Sequence, residues 1–241
     1  MCLGILYDIV TCFSRREPSA RAGGGPSYRT WGGETDVIHN RLITWYRMIP
    51  DRDTCFAILA DHKVDEHIIA HSMSVERVAL HIARLHAEQN GDGSLDLSLV
   101  SAGALLHDIA KVPAIYAGVK HSDMGADMMR DLGFVEVEPL VRQHVLLDDY
   151  TQNGAVTEAE LVNYGDKRVT HDRIVTLKER FDDLYIRYGS RSPWAMEHVR
   201  QIHVHTLELE KKLFRSLSVR PDDLVDILRD KEEEVIGFHS G

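Results

Sequence analysis

The heptapeptide LLHDIAK, Leu105 to Lys111, closes a helical segment too apolar to lie anywhere but in a core. Its two adjacent polar residues, His107 and Asp108, must therefore go inside with it. A His-Asp pair alone says little: with 14 histidines in 241 residues, about one such pair is expected by chance. A second, His171-Asp172, does occur. What gives the pair meaning is the hydrophobic period around it and around four further polar residues.

His71 is followed by Val75, Val78, Ala79 and Ile82, the spacing of one helical face. Val100, Gly103 and Ala104 precede His107 on one face. His121 heads a stripe of Gly125, Met128 and Leu132, and His144 shares its face with Leu140, Val141 and Leu147. Asp166 is flanked by Val162, Gly165 and Val169. A carboxylate on an apolar stripe is costly unless it is paired or binds metal. Each of these residues alone reads as a satisfied core group; all six on inward faces of successive helices read as a metal site.

Imidazole and carboxylate without thiolate suit Fe or Mn, with Co, Ni or Zn as alternatives, better than Mg or Ca. His71, His107, Asp108 and Asp166 would hold one divalent ion with open positions. Adding His121 and His144 provides for a pair of ions with Asp108 bridging. Such a pair clamps phosphoryl oxygens and acidifies a water, so that hydroxide attacks a phosphate in line. The sequence offers no Ser or Cys with a partner base, no P-loop and no GxGxxG.

Strand-like alternation is nearly absent, and the chain reads as an all-α fold. Helices are expected over 36–48, 51–61 and 72–90, with 64–69 leading up to His71, and the Asn90-Gly91 pair as a stop. Asp96 or Ser98 caps the buried helix through Ala110, which Pro113 should not let run far. Further helices run from His121 or Ser122 to Gly133, and from Pro139. Thr157 and Glu160 form a capping box for the Asp166 helix. Helices over 177–188, 194–217 and 222–231 complete the chain. Residues 14–35 are rich in Gly, Ser, Arg and Pro, so 1–35 is expected to be a flexible segment. The folded domain is then 36–190, with 191–241 a helical extension packed on it.

The net charge of −10 is spread along the helices, which disfavours non-specific nucleic-acid binding. Cys2, Cys12 and Cys55 have no CxxC spacing and suit a reduced cytoplasmic setting. The apolar start, MCLGILYDIVTCF, is short, carries Asp8 and has no basic run before it. Neither a signal peptide nor a membrane span is expected.

His71, then His107-Asp108, then Asp166 resembles the H…HD…D signature of the HD superfamily of metal-dependent phosphohydrolases. LLHDIAK resembles its HDIG branch. HSDMGADMM from His121, VRQHVLL around His144 and YGDKRV around Asp166 resemble the further elements of its dinuclear members, which include HD-type diadenosine tetraphosphatases. The likeness covers roughly residues 60–190. It implies a helical HD-domain bundle with an extra C-terminal helical segment, acting on a small phosphorylated substrate such as a nucleotide. Gly165 stands where the family usually has Ala, a change expected to relax packing. There is no HHE…GYP stretch, so the cyclic-di-GMP phosphodiesterase branch is not implied. Two rivals use the same residues or the same fold: a di-iron oxygenase and a non-catalytic sensing or interaction domain.

Lys111, three residues after Asp108, is expected to meet substrate phosphate or the Asp108 carboxylate, and with Asp108 is the expected catalytic pair. Lys120, Lys167 and Arg168 are the other candidates for a cation at the mouth. His86 lies about 22 Å along the helix from His71, so it reads as a packing or capping residue. His198, His203 and His205 read as surface or interface residues on a C-terminal helix that is also a candidate dimer contact. His171-Asp172 reads as structural.

Overall fold

The computed structural model describes residues 48–229 apart from 92, 149, 190 and 191. The linker, the helix expected to begin at Asp36, Cys2, Cys12 and the end of the last expected helix lie outside the described residues. Helix α1 (Arg52–Asp61) starts where the Asp51 carboxylate accepts from the Thr54 N–H at 2.8 Å. Helix α2 (Glu66–Asn90) ends on Gly91, whose φ of 63° is the left-handed closure that glycine adopts freely. The expected break before His71 does not exist: α2 is one helix, and His71 sits in its second turn. The apolar period of 64–69 and 72–90 is continuous, and neither Ala70 nor His71 interrupts a helix.

Helix α3 (Leu97–Leu106) is buried at Leu99, Val100 and every residue from Ala102 to Leu106. It stops four residues short of the expected Ala110. Residues 107–110 form turns, closed by Ile109 N–H to the Leu106 carbonyl and Lys111 N–H to the Asp108 carbonyl. Helix α4 (Lys111–Ala117) then leaves at 46° to α3. Pro113 does not block continuation here. It lies in the first turn of the new helix, where its missing N–H costs nothing. The His-Asp pair therefore sits at a bend between two helices.

Helix α5 (His121–Asp131) buries His121, Ser122, Gly125, Ala126 and Met129. The stripe thus runs through Met129 rather than Leu132, which is exposed. Helix α6 (Glu138–Gln143) has Pro139 in its first turn and His144 at its C-terminal cap. Helix α7 (Glu158–Lys167) starts with the full Thr157–Glu160 capping box. A two-stranded hairpin follows, β1 (Val169–Thr170) paired antiparallel with β2 (Arg173–Ile174). His171, at φ 59°, and Asp172 make its tight turn. Helix α8 (Leu177–Leu184) has a second capping box, Thr176–Glu179, and passes into a wider π-type turn over Tyr185–Gly189. Helix α9 (Pro193–Phe214) starts at Ser192 and ends three residues before the expected limit. Residues 223–229 are helical.

The fold is all-α, with one small hairpin. Helix α2 packs on α3 and α7, α7 also on α3 and α6, and α5 on α6. Two glycines set how close these helices come. A side chain at Gly103 would collide with Leu140, and one at Gly165 would sit 3.1 Å from the Val75 carbonyl oxygen. Gly165 therefore allows a tighter approach of α7 to α2 rather than a looser one. Among the described residues no single helix is long and apolar enough to cross a membrane.

Candidate metal centre

The six polar residues of the apolar stripes converge from five segments. Helix α2 supplies His71, the α3–α4 bend His107 and Asp108, the start of α5 His121, the end of α6 His144, and the last turn of α7 Asp166. All except Asp166 are buried, and the Asp166 side chain is only 14% exposed. Asp108 is central. Its Oδ1 lies 2.9 Å from His121 Nε2 and 3.7 Å from His144 Nε2. Its Oδ2 lies 3.4 Å from His107 Nε2 and 3.9 Å from His71 Nε2. Asp166 Oδ1 lies 3.1 Å from His71 Nε2 and 3.9 Å from His107 Nε2.

Two triads therefore share Asp108: His71, His107 and Asp108 on one side, and Asp108, His121 and His144 on the other. Within each, the nearest nitrogen and oxygen atoms lie within 4.8 Å of one another. Second partners orient three of the rings. The Nδ1–H of His71 donates to the His171 carbonyl at 2.6 Å, that of His107 to Ala104 at 2.7 Å, and that of His144 to Val141 at 2.6 Å. Each donation places the lone pair on Nε2, which faces the cluster. The hairpin turn at His171 is thus part of the site's support. Ser74 strengthens it by donating to the Asp172 carbonyl at 2.6 Å.

Electrostatics favour the protonation states that a divalent ion needs. Burial depresses the basicity of His71. It does so strongly at His144, where the neighbouring rings of His121 and His107 add to the effect. Burial alone would raise both carboxyls. The Lys111 ammonium, ahead of His107, nevertheless holds Asp108 well below the usual carboxylate range. Lys167, ahead of His71 and Arg180, does the same for Asp166. His107 Nε2 is fully buried, has no hydrogen-bond partner among the described residues and points at Asp108. Such an orphaned atom is costly without a ligand. Carboxyls held ionised, the lowered basicity of His71 and His144, and the orphaned His107 Nε2 suit a divalent metal.

The candidate cations take up different places. Lys111 bonds the Asp108 Oδ2 atom. Lys167 is buried and donates to Asp166 Oδ2 at 2.8 Å and to the His144 carbonyl at 2.9 Å, tying α6 to α7. Arg168 faces away from the mouth: fully buried, it donates to the Val175 carbonyl and the Tyr164 hydroxyl. Lys120 lines a neighbouring cavity of about 130 Å³. His86 meets the Leu213 carbonyl through Nε2 at 2.8 Å, a packing role. His203 is half-buried, its ring stacked on Phe181 at 4.1 Å between ring centres. Arg180 is the residue that sequence reasoning passed over. It is 6% exposed and lines the site cavity of about 60 Å³ beside Asp108, Lys111 and Asp166. Leu177 and Leu184 lie three residues before and four after it, the same sign of an inward polar residue that marked Asp166.

The HD domain family matches residues 68–182. A tRNA (cytidine(56)-2′-O)-methyltransferase of Picrophilus torridus is 26% identical over 220 residues, covering 84% of this chain and 57% of the relative. A protein of the same name from Thermoplasma volcanium is 33% identical, over 47% of this chain and 31% of the relative. An uncharacterized protein of Methanocaldococcus jannaschii is 31% identical, over 38% of this chain and 52% of the relative. The chain thus spans between about a third and just over half the length of these relatives. No solved structure matches it.

Proposed function

We propose, from the premise that residues 68–182 form an HD domain, that the chain is a metal-dependent phosphohydrolase of small phosphorylated, nucleotide-type substrates. One observation carries the proposal: a buried carboxylate, Asp108, shared by two triads whose remaining members are buried imidazoles. In this reading His71, His107, Asp108 and Asp166 hold one ion and Asp108, His121 and His144 a second, with iron or manganese favoured. Ions bound there would activate water and neutralise phosphoryl charge. The chain's own residues prepare that chemistry. Lys111 keeps Asp108 ionised, Lys167 keeps Asp166 ionised, and the carbonyls of Ala104, Val141 and His171 hold the rings. Burial excludes bulk water from the reacting atoms, and each electrostatic contact gains strength in the lower dielectric.

The name borne by the two methyltransferase relatives describes methyl transfer to a tRNA ribose. A net charge of −10 and a site of imidazoles and carboxylates support hydrolysis of a small phosphate here instead. The test is release of phosphate from mononucleotides, dinucleoside polyphosphates, cyclic nucleotides and generic phosphomonoesters by protein loaded with iron or manganese. Turnover stopped by chelation and restored by manganese, but not by calcium, is expected. No turnover of any phosphate by fully loaded protein rejects the reading. Oxygen uptake by the iron form would then favour the oxygenase chemistry that the same ligands allow.

A further inference from the structure

Three Lys or Arg residues line the site cavity, and two of them are engaged: Lys111 with Asp108, Lys167 with Asp166 and the His144 carbonyl. Arg180 differs. Its residue is 6% exposed, and its buried Nε has no hydrogen-bond partner among the described residues. A roomier cavity of about 520 Å³ also has arginines in its lining, but there Arg52 reaches both oxygens of Glu76 at 3.2 Å. The Asp166 carboxylate is close enough to feel the Arg180 charge but hydrogen-bonds His71 and Lys167 instead, so the buried Nε of Arg180 lacks an acceptor, a costly state that an incoming anion would relieve. The start of α8 is fixed by its capping box one turn before Arg180, so the side chain is aimed by a defined helix end. Its charge acts on both Asp166 and Lys111.

We infer that Arg180 is the subsite for the reacting phosphoryl group, its planar donors taking two non-bridging oxygens of a terminal phosphate beside the two triads. The inference rests on the phosphohydrolase reading above. The size and lining of the cavity then narrow the substrate class. About 60 Å³ is far below the roughly 300–1,000 Å³ that encloses a whole small ligand. It admits the reacting phosphoryl group and leaves the rest of the substrate at the mouth. The remaining lining is hydrocarbon: Val145, Phe181, Leu184, Val199 and Ile202. The group that carries the phosphate therefore meets apolar side chains first, and the next cations, Lys120 and Arg142, stand only in the neighbouring cavity beyond Val145 and Ile202, where Arg142 is already bound to Glu138. The substrate class is a terminal phosphomonoester with an apolar or aromatic face.

Inorganic phosphate is the probe, with its binding to manganese-loaded protein followed by calorimetry in the wild type, Arg180→Met and Arg180→Lys. Arg180→Met is expected to weaken phosphate binding at least tenfold, with manganese content unchanged and, without phosphate, a thermal midpoint no lower than the wild type's. Arg180→Lys should recover part of the affinity. Unchanged affinity in Arg180→Met, no phosphate binding by the wild type, or a lowered midpoint overturns the subsite, since the last marks a packing role. Should Arg180→Met not fold, Arg180→Gln is read by the same affinity criterion. Binding needs no turnover, so the two readings fail separately. Phosphate affinity lost in the variant without hydrolysis of any substrate by the wild type keeps the subsite and rejects the hydrolase. Wild-type hydrolysis that is undiminished in Arg180→Met rejects the subsite alone. Nucleoside monophosphates should be turned over at least tenfold faster than the triphosphates, and the reverse order overturns the substrate class.

Discussion

An imidazole that donates its Nδ1–H to a main-chain carbonyl has a single lone pair left, on Nε2. His71, His107 and His144 all direct that lone pair at the Asp108 carboxylate or its neighbours. The two triads meet only at Asp108, which ranks the expected effects of substitution. Asp108→Ala should abolish binding at both positions. His144→Ala should remove one ion and leave the other, because the first triad and Asp166 remain whole. Metal content by elemental analysis after dialysis reads this directly, and two ions retained by His144→Ala would rule out the division into triads. Cys55 gives a separate check at this scale. Burial, ahead of the nearby Glu76 carboxylate, pushes its thiol up to about 12, and only the thiolate reacts. In the folded protein at pH 8 it should resist iodoacetamide, and become alkylated once the chain is unfolded. Peptide mass spectrometry distinguishes the two, and rapid labelling of the native protein would contradict its burial in α1.

At the scale of the element, Gly165 decides how near Asp166 comes to His71. A methyl group there would stand 3.1 Å from the Val75 carbonyl oxygen, a main-chain atom with little room to move. Gly165→Ala should displace α7 from α2 and cost about 1–3 kcal/mol, the scale of an overpacked interface. It should also weaken metal binding. A urea midpoint equal to the wild type's would show that the helices have slack. The helices themselves were legible in the sequence wherever local chemistry speaks: the Thr157–Glu160 box, the Asn90-Gly91 stop, Pro139 in a first turn. The boundaries that went astray depend on information from elsewhere in the chain. The apolar run through Ala110 gives no local reason for α3 to stop at Leu106, and the bend follows from where α4 must pack. The hairpin has two residues per strand, too few to show an alternating period. Its contribution, a carbonyl offered to His71 from 100 residues away, has no sequence signal at all. Arg180 was legible in principle, but a charged residue in an amphipathic helix such as LKERFDDL is ordinarily on the solvent face. The six clustered residues could be found because each broke an apolar stripe, and buried polar groups of that kind need partners.

For the whole molecule, the same centre ties stability to pH and to metal. In the metal-free protein His71 and His144 have basicities below the ordinary 6.5, chiefly from burial. The unfolded chain therefore binds more protons than the folded one as the pH falls below about 6.5, and stability must drop in that direction. The contribution is complete above 6.5 and is lost as the pH falls towards the depressed folded values. Each imidazole can take away up to about 1.4 kcal/mol per pH unit across that window. Asp108 and Asp166, held low by Lys111 and Lys167, act with the same sign but only below the ordinary 3.8. Urea unfolding in the presence of a chelator should thus show a clear loss between pH 7 and 5.5, before any carboxylate of ordinary affinity is protonated. His144→Ala, which removes one of the two groups, should flatten that slope. Manganese should act in the opposite direction, because an ion on the Nε2 atoms binds the folded state alone. At a hundred times its dissociation constant it should add roughly 2.7 kcal/mol at pH 7, and less at pH 5.5, where protons compete for the same lone pairs. A metal-induced shift of equal size at both pH values would mean that the ion binds somewhere other than these imidazoles.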